Sequence, residues 1–140
     1  MAGYKHIEHC CGVYIAKHYT NAVEIGVGNN PDAAQCIHDA GLPVRSIDIR
    51  PCSLPGWLPF ARDDIFEPDL CLYTGADVLY AIRPAEEMIP PLIDLARKID
   101  CDLVVYHLGF ESYGDGGTVV DCGVKLHFYY RRSSEPVKER

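Results

Sequence analysis

The sequence has no hydrophobic run long enough to cross a bilayer, no CxxC spacing and no surplus of positive charge. The first lack excludes a membrane-spanning helix, which needs about 20 consecutive apolar residues. The second leaves seven cysteines, an odd count, at Cys10, Cys11, Cys36, Cys52, Cys71, Cys101 and Cys122. With no basic-then-apolar leader at the start, they predict reduced, mostly buried thiols in a cytoplasmic protein. The third lack follows from 13 Lys and Arg against 20 Asp and Glu, a net charge of -7. That balance argues against bulk nucleic-acid binding, which needs a basic field along the phosphates. Positive charge gathers only near the C-terminal end, at Arg131, Arg132, Lys138 and Arg140.

What is present suits one globular domain of 140 residues, with an apolar share of 48%. The expected division is a domain over residues 1–130, its first 20 residues an N-terminal helix packed on it, and a polar tail over 131–140. Tyr4, Ile7, Cys11, Tyr14, Ile15 and His18 fall near one helical face, a pattern that Gly12 weakens. Residues 22–26 read as a strand. Pro31 to Ala40 read as a helix, with Asn30 as N-cap, Pro31 in the first helical position and Gly41 as C-cap.

Further strands are expected at PVRSIDIR, ending near Asp48 or Ile49, at residues 59–63, at ADVLYAIRP and at CDLVVYHL. A helical turn stopped by Gly75 and a helix over 85–99 lie between them. Met88, Ile89, Leu92, Leu95, Ala96 and Ile99 share one face of that helix. TVVDCGVKLHFYY closes the chain as two strands joined around Cys122 and Gly123. The alternation predicts an α/β fold: a doubly wound, mostly parallel sheet with an antiparallel C-terminal hairpin. Ligands of such sheets bind beyond the carboxyl ends of the strands, where the strand order reverses.

One of those ends is VEIGVGNNPDAAQC, residues 23–36. A dinucleotide loop wants GxGxxG, but Pro31 stands at the third glycine's place. The alternative pattern is an acidic residue two before a GxG. Glu24, Gly26 and Gly28 fit it, followed by Asn29 and Asn30. This loop resembles the first motif of Rossmann-like methyltransferases, whose cofactor S-adenosylmethionine carries an ammonium and a sulfonium. Asn30 stands where many of them have a third glycine, a mild departure because Asn tolerates unusual φ. Asp48 is placed to hold two ribose hydroxyls. Asp63 and Asp64 end the third strand, where methyltransferases often keep an Asp near the adenine amino group.

RDDIFEPDLCLYTGADVLYAIRPAEE, residues 62–87, carries a closer resemblance. Through Arg62-Asp63-Asp64-Ile65, Pro68, Tyr73-x-Gly75-Ala76, Tyr80-x-Ile82-Arg83-Pro84 and Glu87, the chain is similar to a small archaeal family of uncharacterised proteins. This is one of the UPF families, with a shortened methyltransferase-like Rossmann fold. VEIGVG matches upstream, and Leu108 to Glu111 match less well. The resemblance spans roughly residues 10–130 and implies a fold and a cofactor, but no reaction. In that family a Lys-Pro pair tends to precede the Leu-Gly after the fifth strand. Tyr106 and His107 stand there instead, so an anion-binding role for that Lys does not carry over.

Arg83 and Pro84 close the fourth strand beside the expected acceptor side. The guanidinium fork suits a carboxylate or phosphate of a substrate or partner, or an ion pair with Glu86 or Glu87. IRPA is not the Asn/Asp-Pro-Pro-aromatic motif of amino-methyltransferases. His6, His9 and Cys10 share helical offsets, with His107, Cys122 and His127 available elsewhere, but no spacing makes a metal site of them. No general base stands out. Three functions stay open: a small S-adenosylmethionine-binding protein and methyltransferase, an NAD(P)- or nucleotide-binding protein, and a non-catalytic binding or assembly module. The short chain leaves room for self-association or a protein partner to complete a pocket.

Overall fold

The protein was analysed as a computed structural model that describes residues 3–133, with side chains from residue 6 onward. The side chain of Tyr4, and Lys138 and Arg140 of the tail, lie outside the described residues. Seven strands form one sheet in the order β3-β2-β1-β4-β5-β7-β6. They are β1 (Ala22–Ile25), β2 (Val44–Asp48), β3 (Phe60–Arg62), β4 (Val78–Ile82), β5 (Asp102–Tyr106), β6 (Thr118–Asp121) and β7 (Lys125–Tyr130). The pairings from β3 to β5 are parallel, and β7 runs antiparallel to both β5 and β6. The order reverses between β1 and β4, so the switch point lies beyond their carboxyl ends.

Three helices cover the sheet: α1 (Gly3–His18), α2 (Asp32–Asp39) and α3 (Ile89–Ile99). The side chains of β1 divide by alternation. Ala22 joins the core under α1 and α2, whereas Val23 and Ile25 join the core under α3. Gly12 does not weaken α1 but lets it approach α2. A Cβ there would meet the Ala33 carbonyl oxygen at 2.5 Å and the Cys36 Cβ at 2.7 Å. His18 departs from the expected stripe: at the last helical position it is exposed and its ring lies on Tyr14, centroids 4.2 Å apart.

Helix α2 starts one residue later than its pattern suggests, at Asp32. Asn30 still serves the helix start, because its Oδ1 accepts the Asp32 N–H at 3.0 Å. At the other end the Gly41 N–H reaches the His38 carbonyl at 2.9 Å and the Leu42 N–H reaches that of Ile37 at 3.2 Å. This is the Schellman arrangement, and Gly41 supplies its left-handed residue at φ 83°. The Pro- and Gly-rich loop after β2 lies back on α2, where Trp57 stacks on His38 at 4.3 Å.

Between β3 and β4 there is only a 3-10 turn, Leu70–Tyr73. Another, Glu86–Met88, precedes α3, so the expected helix over 85–99 divides in two. Pro90 and Pro91 sit in the first turn of α3, where a missing N–H costs little. All seven cysteines are free, but only Cys11 and Cys101 are buried, fewer than expected, and Cys71 is exposed. Among the described residues no helix is long and apolar enough to cross a membrane.

Candidate functional site

A cleft of about 400 Å³ opens at the switch point. The sequence-predicted residues that line it are Gly26, Gly28, Asp48, Asp63, Asp64, Arg83 and Pro84. The glycine loop is pinned from below: the Gly26 N–H donates to the Ile47 carbonyl at 2.8 Å. Gly26 and Gly28 both take left-handed backbone, at φ 74° and 59°. A Cβ on Gly28 would have nothing within 4 Å, so the loop faces open space there.

Asp48 ties this loop to β2. Its Oδ2 accepts the Gly28 N–H at 2.8 Å and its Oδ1 accepts the Arg50 N–H at 3.1 Å. Each oxygen keeps a lone pair for a further donor. Asp63 follows β3 rather than ending it and holds the next turn, accepting the Tyr73 O–H at 2.6 Å. The Asp64 carboxylate accepts the Phe66 N–H at 2.9 Å. Ile49 and Phe66 stand more than half exposed at the cleft. Such apolar side chains beside fixed polar atoms are the usual make-up of a small-molecule site.

Three predicted residues do not line the cleft: Glu24, Asn29 and Asn30. Glu24 shares the Ala22 side of β1 and is buried at 4% exposure beside its sheet neighbour Tyr80, whose hydroxyl donates to Oε1 at 2.9 Å. Burial above all, with Glu8 and Asp32 nearby, pushes its pKa up to about 8. A carboxyl in that state carries little negative charge at neutral pH. The Asn29 Oδ1 accepts the Ser53 N–H at 2.7 Å and so holds the loop after β2. Asn30 precedes Pro31, the N-cap residue of α2, and besides accepting the Asp32 N–H it donates from Nδ2 to Glu8 at 3.2 Å.

Arg83 has neither expected acidic neighbour as its ion-pair partner. Its Nη1 meets the Glu8 Oε2 at 2.8 Å, across 75 residues of sequence. Glu8 is 2% exposed, and sequence reasoning missed it. The signal was its place three residues before Cys11 and seven before Ile15, a carboxylate within the buried stripe of α1. His6 and His9 are exposed. Among the described residues no group of three or more His, Cys, Asp or Glu is arranged to hold a metal ion.

Sheet order, switch-point cleft and glycine loop together define a methyltransferase-like Rossmann fold. Residues 10–132 match the Uncharacterised protein family (UPF0146), and the chain belongs to that family. It is 38% identical over 107 residues to a UPF0146 protein of Pyrococcus horikoshii, covering 71% of this chain and 79% of that one. A UPF0146 protein of Archaeoglobus fulgidus is 31% identical over 103 residues, 73% of this chain and 76% of its own.

Among solved structures, a SAM-dependent methyltransferase from Archaeoglobus fulgidus superposes with a TM-score of 0.57 at 15% identity. That match covers 79% of this chain but only 56% of the enzyme's length. An RNA methyltransferase from Salinibacter ruber, in complex with S-adenosyl-L-homocysteine, gives a TM-score of 0.54 at 15% identity, covering 91% of this chain and 94% of that one. At such identities the likeness is one of fold.

Proposed function

We propose that the chain binds S-adenosylmethionine in the switch-point cleft and acts as a methyltransferase. The observation that supports this best is the convergence on one cleft of an open Gly28, the Asp48 carboxylate and the exposed Ile49 and Phe66. Asp48 has a lone pair on each oxygen to receive a ribose diol. Asp63 and Asp64 stand at the adenine side, between the apolar side chains of Ile65 and Phe66 and the end of β3. Gly26 and Gly28 let the backbone approach the ligand closely. Asn29 and Asn30 serve by holding the loop in place from behind, and Glu24 by its buried bond to Tyr80 in the strand that carries the loop.

When bound, S-adenosylmethionine supplies an already electrophilic methyl group, so the protein's part is alignment and exclusion of water. Arg83 and Pro84 form the wall at the end of β4, and Arg83, paired with Glu8, stands on the acceptor side, where its charge suits an acidic part of the acceptor.

The dinucleotide alternative meets a physical obstacle. A pyrophosphate would rest on the N-terminus of α2. Pro31 has no N–H to offer, the Asp32 N–H is already taken by Asn30, and the Asp32 carboxylate sits in that first turn. Calorimetric titration of the full chain with S-adenosylmethionine, S-adenosylhomocysteine and NAD tests the proposal. Saturable binding of the first two without NAD is expected. Binding of NAD alone would favour the dinucleotide reading, and silence with all three would favour a non-catalytic module.

A further inference from the structure

A second cleft, of about 570 Å³, opens beyond β5 and the β6–β7 hairpin. Only a thin wall separates it from the first. Arg83 lines the first cleft and Tyr106 the second. The Arg83 N–H donates to the Tyr106 carbonyl at 2.7 Å, and the guanidinium lies 5.7 Å from the Tyr106 ring centre. The two concave sites therefore meet at one contacting pair, with one member lining each.

The chemistry of the second cleft centres on His127. Its Nδ1 lies 2.8 Å from the Gly116 carbonyl oxygen, which has no proton to give. Nδ1 must therefore carry the hydrogen, and the neutral ring keeps its lone pair on Nε2. The loop is built to hold that carbonyl in place. A Cβ on Gly117, at φ 63°, would clash with the Phe128 carbonyl oxygen, so only glycine lets the loop lie this close to β7. His107 stands edge-on to His127, ring centres 4.8 Å apart, and its Nε2 is 2.6 Å from the Tyr129 hydroxyl. Burial, and then His127, push the His107 pKa below the ordinary histidine value, so this neighbour adds little positive charge.

Tyr106 and the fully exposed Phe110 offer aromatic faces, and Glu111 and Asp115 outnumber Lys125 among the charged lining residues. Lys125 itself lies 3.9 Å from Asp121. Such a site repels anions and favours a ring that donates a hydrogen bond.

We infer that this second cleft binds a small uncharged planar molecule bearing an O–H or ring N–H that donates to His127 Nε2.

Nuclear magnetic resonance on the isotope-labelled full chain reads this site directly, with para-cresol, a phenol that stays uncharged at neutral pH, and benzoate as probes. The phenol should shift the His127 and Phe110 ring signals and saturate, while benzoate leaves them in place. His127→Asn keeps an N–H for the Gly116 carbonyl but removes the Nε2 acceptor. It should weaken phenol binding about tenfold, the loss expected of one hydrogen bond, with little change in melting temperature. Benzoate binding as well as the phenol, an unmoved His127 signal, or a folded His127→Asn variant of undiminished affinity would each overturn the inference. Should His127→Asn fail to fold, the wild-type signals with the two probes decide the matter alone.

A parallel titration with S-adenosylhomocysteine separates the two clefts. It should leave the His127 signal in place, and a His127 shift matching that with the phenol would show the two clefts to be one site and overturn the inference.

Discussion

Two groups of carboxylates lie near the same glycine loop and have opposite surroundings. Glu8 and Glu24 are buried on the α1 and α2 side of the sheet, at 2% and 4% exposure. Asp48, Asp63 and Asp64 stand in the cleft with backbone or tyrosine donors and open solvent beside them. Residue type and proximity in sequence do not separate them. The place along the strand does: Glu24 follows Val23 within β1 and so points away from the α3 side, whereas Asp48 is the last residue of β2 and Asp63 and Asp64 follow the end of β3. Glu8 reaches the loop through Asn30 and Glu24 is tied to Tyr80 of β4, whereas the cleft group is part-exposed.

The sharpest way to break this division is to remove the cation from the buried side. Arg83→Ala leaves Glu8 with only the Asn30 amide among its described polar partners. Breaking a buried ion pair by deleting one partner costs about 3–5 kcal/mol, and the 20% exposure of the Arg83 side chain favours the low end. A drop of this size in urea-unfolding stability is expected. A loss below about 1 kcal/mol, the range of exposed pairs, would show that Glu8 is solvated and not part of the buried framework.

Glu24 gives the next largest effect, and it depends on pH. Its folded-state pKa of about 8 exceeds the ordinary 4.5, so the folded protein holds this proton where the unfolded chain releases it. Stability is then fully present below the unfolded value and declines as pH rises through the folded one. From about pH 5 to about pH 8 the decline should be on the order of 3 kcal/mol. Glu24→Gln keeps an oxygen for the Tyr80 hydroxyl but has no proton to lose, so it should flatten this slope and be more stable than wild type at the alkaline end. Denaturant unfolding of both proteins across that range provides the comparison. Parallel slopes would mean that Glu24 ionises freely and belongs with the cleft group.

The packing that buries these two acids depends on Gly12. Any side chain there must push α1 away from the Ala33 carbonyl, since its Cβ would stand only 2.5 Å from that oxygen. Gly12→Ala should cost about 1–3 kcal/mol, the usual range for overpacking, despite the better helix propensity of alanine. A more stable Gly12→Ala variant, measured by its melting temperature, would show that the two helices can separate without loss.

Much of the fold was legible because its signals are local. The alternation of strands and helices, Gly41 after α2 and the paired prolines opening α3 each report on a few neighbouring residues. The cleft residues were legible for a related reason: strand ends converge at the switch point whatever the loops do. Arg83 was legible as a residue at the end of β4 but not in its partner, because Glu8 lies 75 residues earlier on another element. Glu24 fits the acidic-x-GxG pattern by sequence, but that pattern does not tell which face of the sheet the side chain takes, and the packing of α1 and α2 over β1 buries it away from the cleft. The second cleft was hidden for the same reason as Glu8. His127 gains its meaning from the Gly116 carbonyl, which the loop before β6 brings back onto β7.

The smallest expected effect tests the cleft side of the division. Asp48 accepts two backbone N–H groups, one on each oxygen. Asp48→Asn has one carbonyl oxygen and must leave either Gly28 or Arg50 without its partner, while its amide nitrogen turns a donor toward the other. The Arg50 backbone is exposed and can turn to water; Gly28 is half-buried and cannot do so as readily. The oxygen should therefore stay on Gly28, and stability should fall by only about 1 kcal/mol, the worth of one hydrogen bond. Ligand affinity should suffer more, because the lone pairs proposed for a ribose diol are halved in number and lose their charge. A weakening of S-adenosylhomocysteine binding by tenfold or more, against that small change in stability, is the pattern expected of a residue facing a ligand. Equal losses in both, measured by calorimetry and thermal unfolding on the same samples, would instead place Asp48 with Glu8 and Glu24 among the residues that hold the loop.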